Sequence, residues 1–236
     1  MPFERDKIGP KFQRLSNFRR GRLPSVVDMN ISSIKVYANP LENITLPVPE
    51  LTKGPYLWNS LVKAKESLAE GGQLSQETIS QILWASSGFR YNALRTHLTT
   101  SDIVGIETYL FALELSGLQK GLYHYKPQDH SLEQITRAEH KDEFAKIFIS
   151  DVNLDACAAV LIYTGIPARL ENFAKSRAYR YLYLEAGAAA QSAMLASVAL
   201  ELSSVFITAF YDDELADLLR LDSPKEVALA AMTIAR

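Results

Sequence analysis

The sequence predicts an α+β domain spanning residues 56–236, preceded by an extended arm of residues 1–55. Three observations point there. Helix-period segments and short β-branched or aromatic segments are intermixed from residue 56 onward, with no repeat and no low-complexity linker. Pro10, Pro24, Pro40, Pro47, Pro49 and Pro55 break up any helical period in the first part of the chain. A long Ala/Gly-rich helical stretch from Tyr179 runs into a β-branched segment and then into a helix opened by acidic residues. With 236 residues, 47% of them hydrophobic, the chain has ample apolar material for one large core.

Each element has a local reason. The arm is irregular but carries Phe12, Leu15, Phe18, Val36, Tyr37 and Leu46, so it should dock on a surface rather than float. Residues 46–49 should be extended, because each proline disfavours helix at the residue before it. From Tyr56, the spacing of Trp58, Leu61 and Ala64 or Lys65 is helical until Gly71-Gly72. Ser75 is a good N-cap, and Ile79, Ile82, Leu83 and Ser86 line one face of a helix that stops at Gly88. Residues 108–115, residues 121–127 and the segment holding Leu132 and Ile135 read as strands, the last two joined by a turn at 126–129. A helix over 139–149, a buried strand over 158–163, the long helix and a strand over 204–210 follow. A short helix carries Asp212, Asp213 and Glu214 in its first turn, where the macrodipole favours negative charge, and an apolar strand over 227–235 closes the sequence.

Composition narrows the function. The net charge of −2 gives no global attraction to nucleic acid or to an anionic membrane. A single cysteine, Cys157, excludes an internal disulfide and a Cys-based zinc site and suits a reducing cytoplasm. The first ten residues lack the apolar core of a secretory signal, and the apolar window 186–200 is too short to span a bilayer. The histidines His97, His124, His130 and His140 have no metal-ligand spacing, so no metal is expected.

Five blocks then occur in a recognisable order: KVYANPLENITLPVPEL from Lys35, LSQETISQILWASSG from Leu74, GLYHYKPQDHSLEQI from Gly121, RAYRYLYLEAGAAAQ from Arg177 and FYDDELADLLRLD from Phe210. On these blocks the chain resembles the SagB-type branch of the nitroreductase-like FMN-dependent oxidoreductases, known for dehydrogenases that oxidise azoline rings in ribosomally made peptides. The resemblance implies a central, mostly antiparallel sheet flanked by helices. It also implies a homodimer with FMN at the subunit interface and a small-molecule or peptide substrate. Ala186, Gly187, Ala190 and Ala193 would allow close helix approach, either across that dimer or within the chain.

The resemblance also marks where the cofactor should sit. A flavin phosphate needs cations and backbone donors. The family supplies an RRS-x-R run ahead of the LS helix, and here Lys63 and Lys65 stand in that stretch. The family loop PSAGALYPLE corresponds to LTTSDIVGIE, with Leu98, Thr99 and Ser101 in place of Pro, Ser and Gly; Thr99 and Thr100 could still donate hydrogen bonds. The turn LGLGACPIGGF corresponds to LELSSVFITAF, where Glu201 and Ser203 replace two glycines and Ser203 and Ser204 supply hydroxyls. A glutamate beside a phosphate repels it by roughly 1 kcal/mol or more if partly buried.

The Lys-Tyr pair that the azoline dehydrogenases use for proton handling corresponds to Phe173-Ala174, leaving Lys175 next to it as the catalytic candidate. Arg177, Tyr179 and Arg180 keep the family's R-x-YR, and Arg177 is a candidate phosphate or carboxylate contact or else a fastener for the helix start. Glu185 and Gln191, in so apolar a helix, should have polar partners. The arm's Lys11, Arg14, Arg19, Arg20 and Arg22 form either a binding patch for an acidic peptide or a cofactor phosphate, or a solvated face, and His97 falls in the candidate flavin loop. Two functions therefore stand side by side: an FMN-dependent oxidoreductase, and a flavin-free relative acting as a binding or scaffolding subunit.

Overall fold

The segments read as strands pair into one sheet in the computed structural model, which describes residues 8–18, 32, 34–63, 71–90, 94–137, 141–149 and 153–236. In chain order the helices and strands are α1 (Ile8–Leu15), β1 (Glu42–Thr45), α2 (Leu57–Lys63), α3 (Gln76–Ser87), β2 (Ile106–Ala112), β3 (Gly121–Lys126), β4 (Ser131–Arg137), α4 (Lys141–Ile147), β5 (Ala159–Gly165), α5 (Ala168–Ala174), α6 (Ala178–Ala199), β6 (Ser203–Ile207), α7 (Asp212–Leu218) and β7 (Val227–Ala235). The sheet has seven strands in the order β1-β4-β3-β2-β5-β7-β6, each antiparallel to its neighbours.

β2 and β5 form the centre, paired from Ile106 opposite Gly165 to Ala112 opposite Ala159. Both are buried along their whole length, which is why they read as continuous apolar runs rather than as alternating ones. Successive side chains still point to opposite faces. Leu110, Leu161, Tyr163 and Met232 face α3 and α6. Phe111, Val160, Ile162 and Ala231 face the layer built from α4 and α7. α6 lies close to the sheet because Gly105 and Gly165 leave room for Leu182: a Cβ on Gly105 would come within 2.4 Å of one Leu182 methyl, and one on Gly165 within 2.8 Å of the other. The α3 cap forms as expected, with Ser75 Oγ accepting from Thr78 N at 3.2 Å, and β7 occupies its predicted span.

Four findings extend or correct the sequence reading. The arm is not irregular throughout: α1 forms with Pro10 in its first turn, where a missing N–H is tolerated, and β1 pairs with β4 as an edge strand of the main sheet. α5 is a short helix that the spacing did not announce. The apolar positions of α2 turn outward, with Trp58 74% exposed and Ser60 the buried residue of the helix. On α6, Ala186, Ala190 and Ala193 pack into the chain's own core, while Tyr183, Leu184, Gly187 and Gln191 form the outward stripe. Gln191 is therefore solvated and needs no buried partner.

What fastens the arm is a buried set of charges on the sheet face opposite α6. His124, 1% exposed, bridges two carboxylates: Nε2 to Glu107 and Nδ1 to Glu133, each at 2.9 Å. Glu107 also pairs with Arg169, whose Nε donates to the carbonyl of Ser32 at 3.1 Å. Lys35 reaches in from the arm to Glu226 and the Tyr109 hydroxyl, and Thr164 donates to the same carboxylate. Tyr37 donates its backbone N–H to Glu133 at 3.2 Å and meets the Tyr109 hydroxyl at 3.1 Å. Three acids thus face three cations, and removing one member would leave a buried charge uncompensated, a loss of about 3–5 kcal/mol.

The cluster makes stability depend on pH. Burial alone would lower the pKa of His124, but the flanking carboxylates outweigh it and hold the imidazole above its ordinary 6.5. Burial would raise Glu107, but His124 and Arg169 hold it below its ordinary 4.5. The histidine contribution is complete below pH 6.5 and is lost as pH climbs through its folded pKa. The glutamate contribution is complete above pH 4.5 and is lost as pH falls through its folded pKa. Thermal melts should therefore show a decline as pH climbs above the ordinary histidine value of 6.5 that His124→Gln, itself destabilised by roughly 3 kcal/mol, does not share. Parallel curves for the two proteins would contradict this account.

Candidate functional site

The residues that the sequence marks for a cofactor fall in separate places. Lys63 ends α2 and Glu201 follows α6; with Pro55, Asn59, Ser60 and Leu200 they line one cleft of about 340 Å³. Glu201 has φ 62°, the left-handed conformation that glycine adopts freely and that costs another residue about 1 kcal/mol. The turn thus keeps a glycine-type backbone although the glycine is gone. Lys63 and Glu201 put one charge of each sign on the cleft wall. Lys65 lies outside the described residues.

Thr100 is committed within the chain. Its N–H and hydroxyl donate to one Glu185 carboxylate oxygen at 3.2 and 2.7 Å, and Gly105 N–H donates to the other at 2.9 Å. Glu185, 0% exposed, thereby finds the polar partners that its place in an apolar helix requires, and it ties the loop before β2 to α6. Thr99, next door, faces a second cleft that also holds Arg95, a residue the sequence reading passed over. The signal available for Arg95 was its place two residues before His97 in the candidate loop.

Arg177 is spent on the arm. Its guanidinium donates to the Ser16 carbonyl at 3.2 Å and lies over the rings of Phe18 at 4.8 Å and Tyr181 at 5.7 Å. Arg180 donates to the Gln13 carbonyl and to Asn17 Oδ1. Two cations thus hold the C-terminal end of α1, where carbonyls are unpaired and the dipole is negative. Ser203 and Ser204 are buried in β6, and Ser204 Oγ has no partner among the described residues. Lys175 is exposed, with φ 51°, between α5 and α6, and Phe173 stacks on Tyr181 with ring centres 6.3 Å apart. Among the described residues no group of His, Cys, Asp and Glu could hold a metal, and no helix is long and apolar enough to cross a membrane.

An antiparallel sheet with one long helix against it and a turn-lined cleft at that helix's end defines a nitroreductase-like fold. The chain belongs to the nitroreductase family: the family model matches residues 71–236. A Methanocaldococcus jannaschii protein that carries the name nitroreductase is 28% identical over 164 residues, covering 69% of this chain and 81% of that protein. Among solved structures, a Ralstonia eutropha protein so named aligns with a TM-score of 0.71 at 23% identity, over 90% of this chain and 97% of its own. A chain of the Escherichia coli microcin synthetase McbBCD complex with truncated pro-MccB17 bound aligns at 0.63 and 19% identity, over 97% and 91%. These two structural likenesses show the fold.

The Arg177 contacts make a prediction. Arg177→Ala should release α1, so that amide exchange over residues 12–18 speeds up by about tenfold or more. Unchanged protection there would contradict the placement.

Proposed function

We propose that the chain is an FMN-dependent oxidoreductase acting, as a homodimer, on a small organic or peptide-borne group. The cleft between α2 and the end of α6 carries this reading. It brings together the two blocks that the resemblance assigns to the cofactor phosphate, represented here by Lys63 and Glu201. Asn59, Ser60 and Lys63 line it with hydrogen-bond donors, and the left-handed Glu201 keeps the turn open. These residues fit a weakly held phosphate, because Glu201 opposes the single positive charge of Lys63. A flavin bound there would supply hydride transfer, and the chain would hold and insulate it.

The outward apolar faces support the homodimer. Tyr56, Trp58, Leu61 and Val62 on and beside α2, and Tyr183 and Leu184 on α6, are all exposed. The solved relative with a bound truncated pro-peptide supports keeping a peptide-borne group among the substrates.

The flavin-free reading has its own support: Thr100 and Arg177 are engaged inside the chain, and Ser203 and Ser204 are buried. Absorbance in the yellow flavin band and an FMN titration separate the two. Under the proposal the protein takes up FMN, and Glu201→Gly binds it about fivefold more tightly, because roughly 1 kcal/mol of repulsion is removed. A colourless protein that takes up no FMN even as the Glu201→Gly variant assigns the chain to the flavin-free class.

A further inference from the structure

Arg95 feels the nearby Glu107 and Glu185 charges but makes no contact ion pair with either. Among the described residues no carboxylate pairs with it. Its Nη1 donates to the Ser87 carbonyl, its guanidinium lies 4.4 Å over the Phe89 ring, and its buried Nε has no partner among the described residues. His97 is 4% exposed, and among the described residues neither ring nitrogen has a partner in good hydrogen-bond geometry, the Ser86 backbone being the nearest acceptor. Burial and the Arg95 charge push its pKa down to about 4, so at neutral pH it is an uncharged ring with one N–H to donate.

Both side chains line a cavity of about 10 Å³, beside Ser87 and Thr108. That is room for about one oxygen atom. Arg95 and Val104 also line an open cleft of about 350 Å³, whose walls include Ile34, Phe89 and Leu94.

We propose that cleft and cavity form one binding pocket for a small monocarboxylate with an apolar body. One carboxylate oxygen fills the cavity and accepts from Arg95 and His97, and the body lies along Phe89, Leu94 and Val104. A half-buried guanidinium whose Nε is buried and unused calls for an anionic acceptor, and a carboxylate suits the planar fork. Asp102 on the cleft wall and Glu107 on the cavity wall disfavour a second negative charge on the ligand. The pocket shares no lining residue with the Lys63–Glu201 cleft, and its Thr99, Ser101 and Asp102 belong to the loop that the resemblance assigns to the flavin, so the titrations are made on flavin-free protein.

Isothermal titration of the full chain with benzoate tests this, with benzamide and inorganic phosphate as comparison probes. Benzoate should bind at least about tenfold more tightly than either. Arg95→Gln should weaken it about tenfold, Asp102→Asn should strengthen it by about a few-fold, and Val104→Trp should abolish binding by filling the cleft. Thermal melts establish that each variant folds; should Arg95→Gln fail to fold, Val104→Trp and Asp102→Asn carry the comparison. No benzoate binding, equal binding of benzamide, or wild-type affinity in the Val104→Trp protein overturns the proposal and leaves the cavity as a site for water only.

Discussion

The structure depends on a constraint of charge balance. Glu107, Glu133 and Glu226 are buried on one sheet face, where a carboxylate without a partner is costly. His124 comes from β3 and Arg169 from α5, both within the domain, but Lys35 comes from the arm. The domain therefore carries a buried carboxylate, Glu226, whose partner ammonium lies 191 residues away. The arm is bound because the sheet needs its charge, and the alternation that sends Lys35 and Tyr37 inward leaves Ile34 and Val36 facing out. Tyr109 sits between the two halves of the cluster, its hydroxyl held protonated mainly by burial, and it links the lysine side to the histidine side through Tyr37 and the His124 ring.

The rest of the site follows the same pattern of long-range pairing. Glu185 gathers the loop before β2 onto α6, and Arg177 and Arg180 gather α1 onto the start of that helix. Clefts open where this internal bonding stops: at the end of α6, where Glu201 takes a turn that glycine would take more easily, and beside Arg95, whose guanidinium makes no contact ion pair among the described residues.

Local signals in the sequence translated well. The Ser75 cap, the buried face of α3 and the bounds of β7 are set by residues within a turn or two of one another. The partners of charged residues were not legible. Glu185 announced a need for donors, but Thr100 lies 85 positions away, and nothing local points to it. Lys35, Tyr37, His124 and Glu133 lie in blocks that read as markers of fold and Glu107 ends the candidate cofactor loop, yet their shared burial emerges only when β2, β3, β4 and the arm are side by side. The helical spacing of α2 was legible, but spacing shows only that a face is apolar and does not show whether the chain itself covers it.

The position of β7 has a consequence for how the protein is made. The last strand in the sequence is not at an edge; it lies between β5 and β6. Until β7 is in place β6 has no strand to pair with, although α6 already has α3, β2 and β5 to pack on. Glu226, the carboxylate that receives Lys35, immediately precedes that same strand. The first part of the chain therefore waits for the last: insertion of residues 227–235 zips the sheet and, in the same event, presents the anion on which the arm closes.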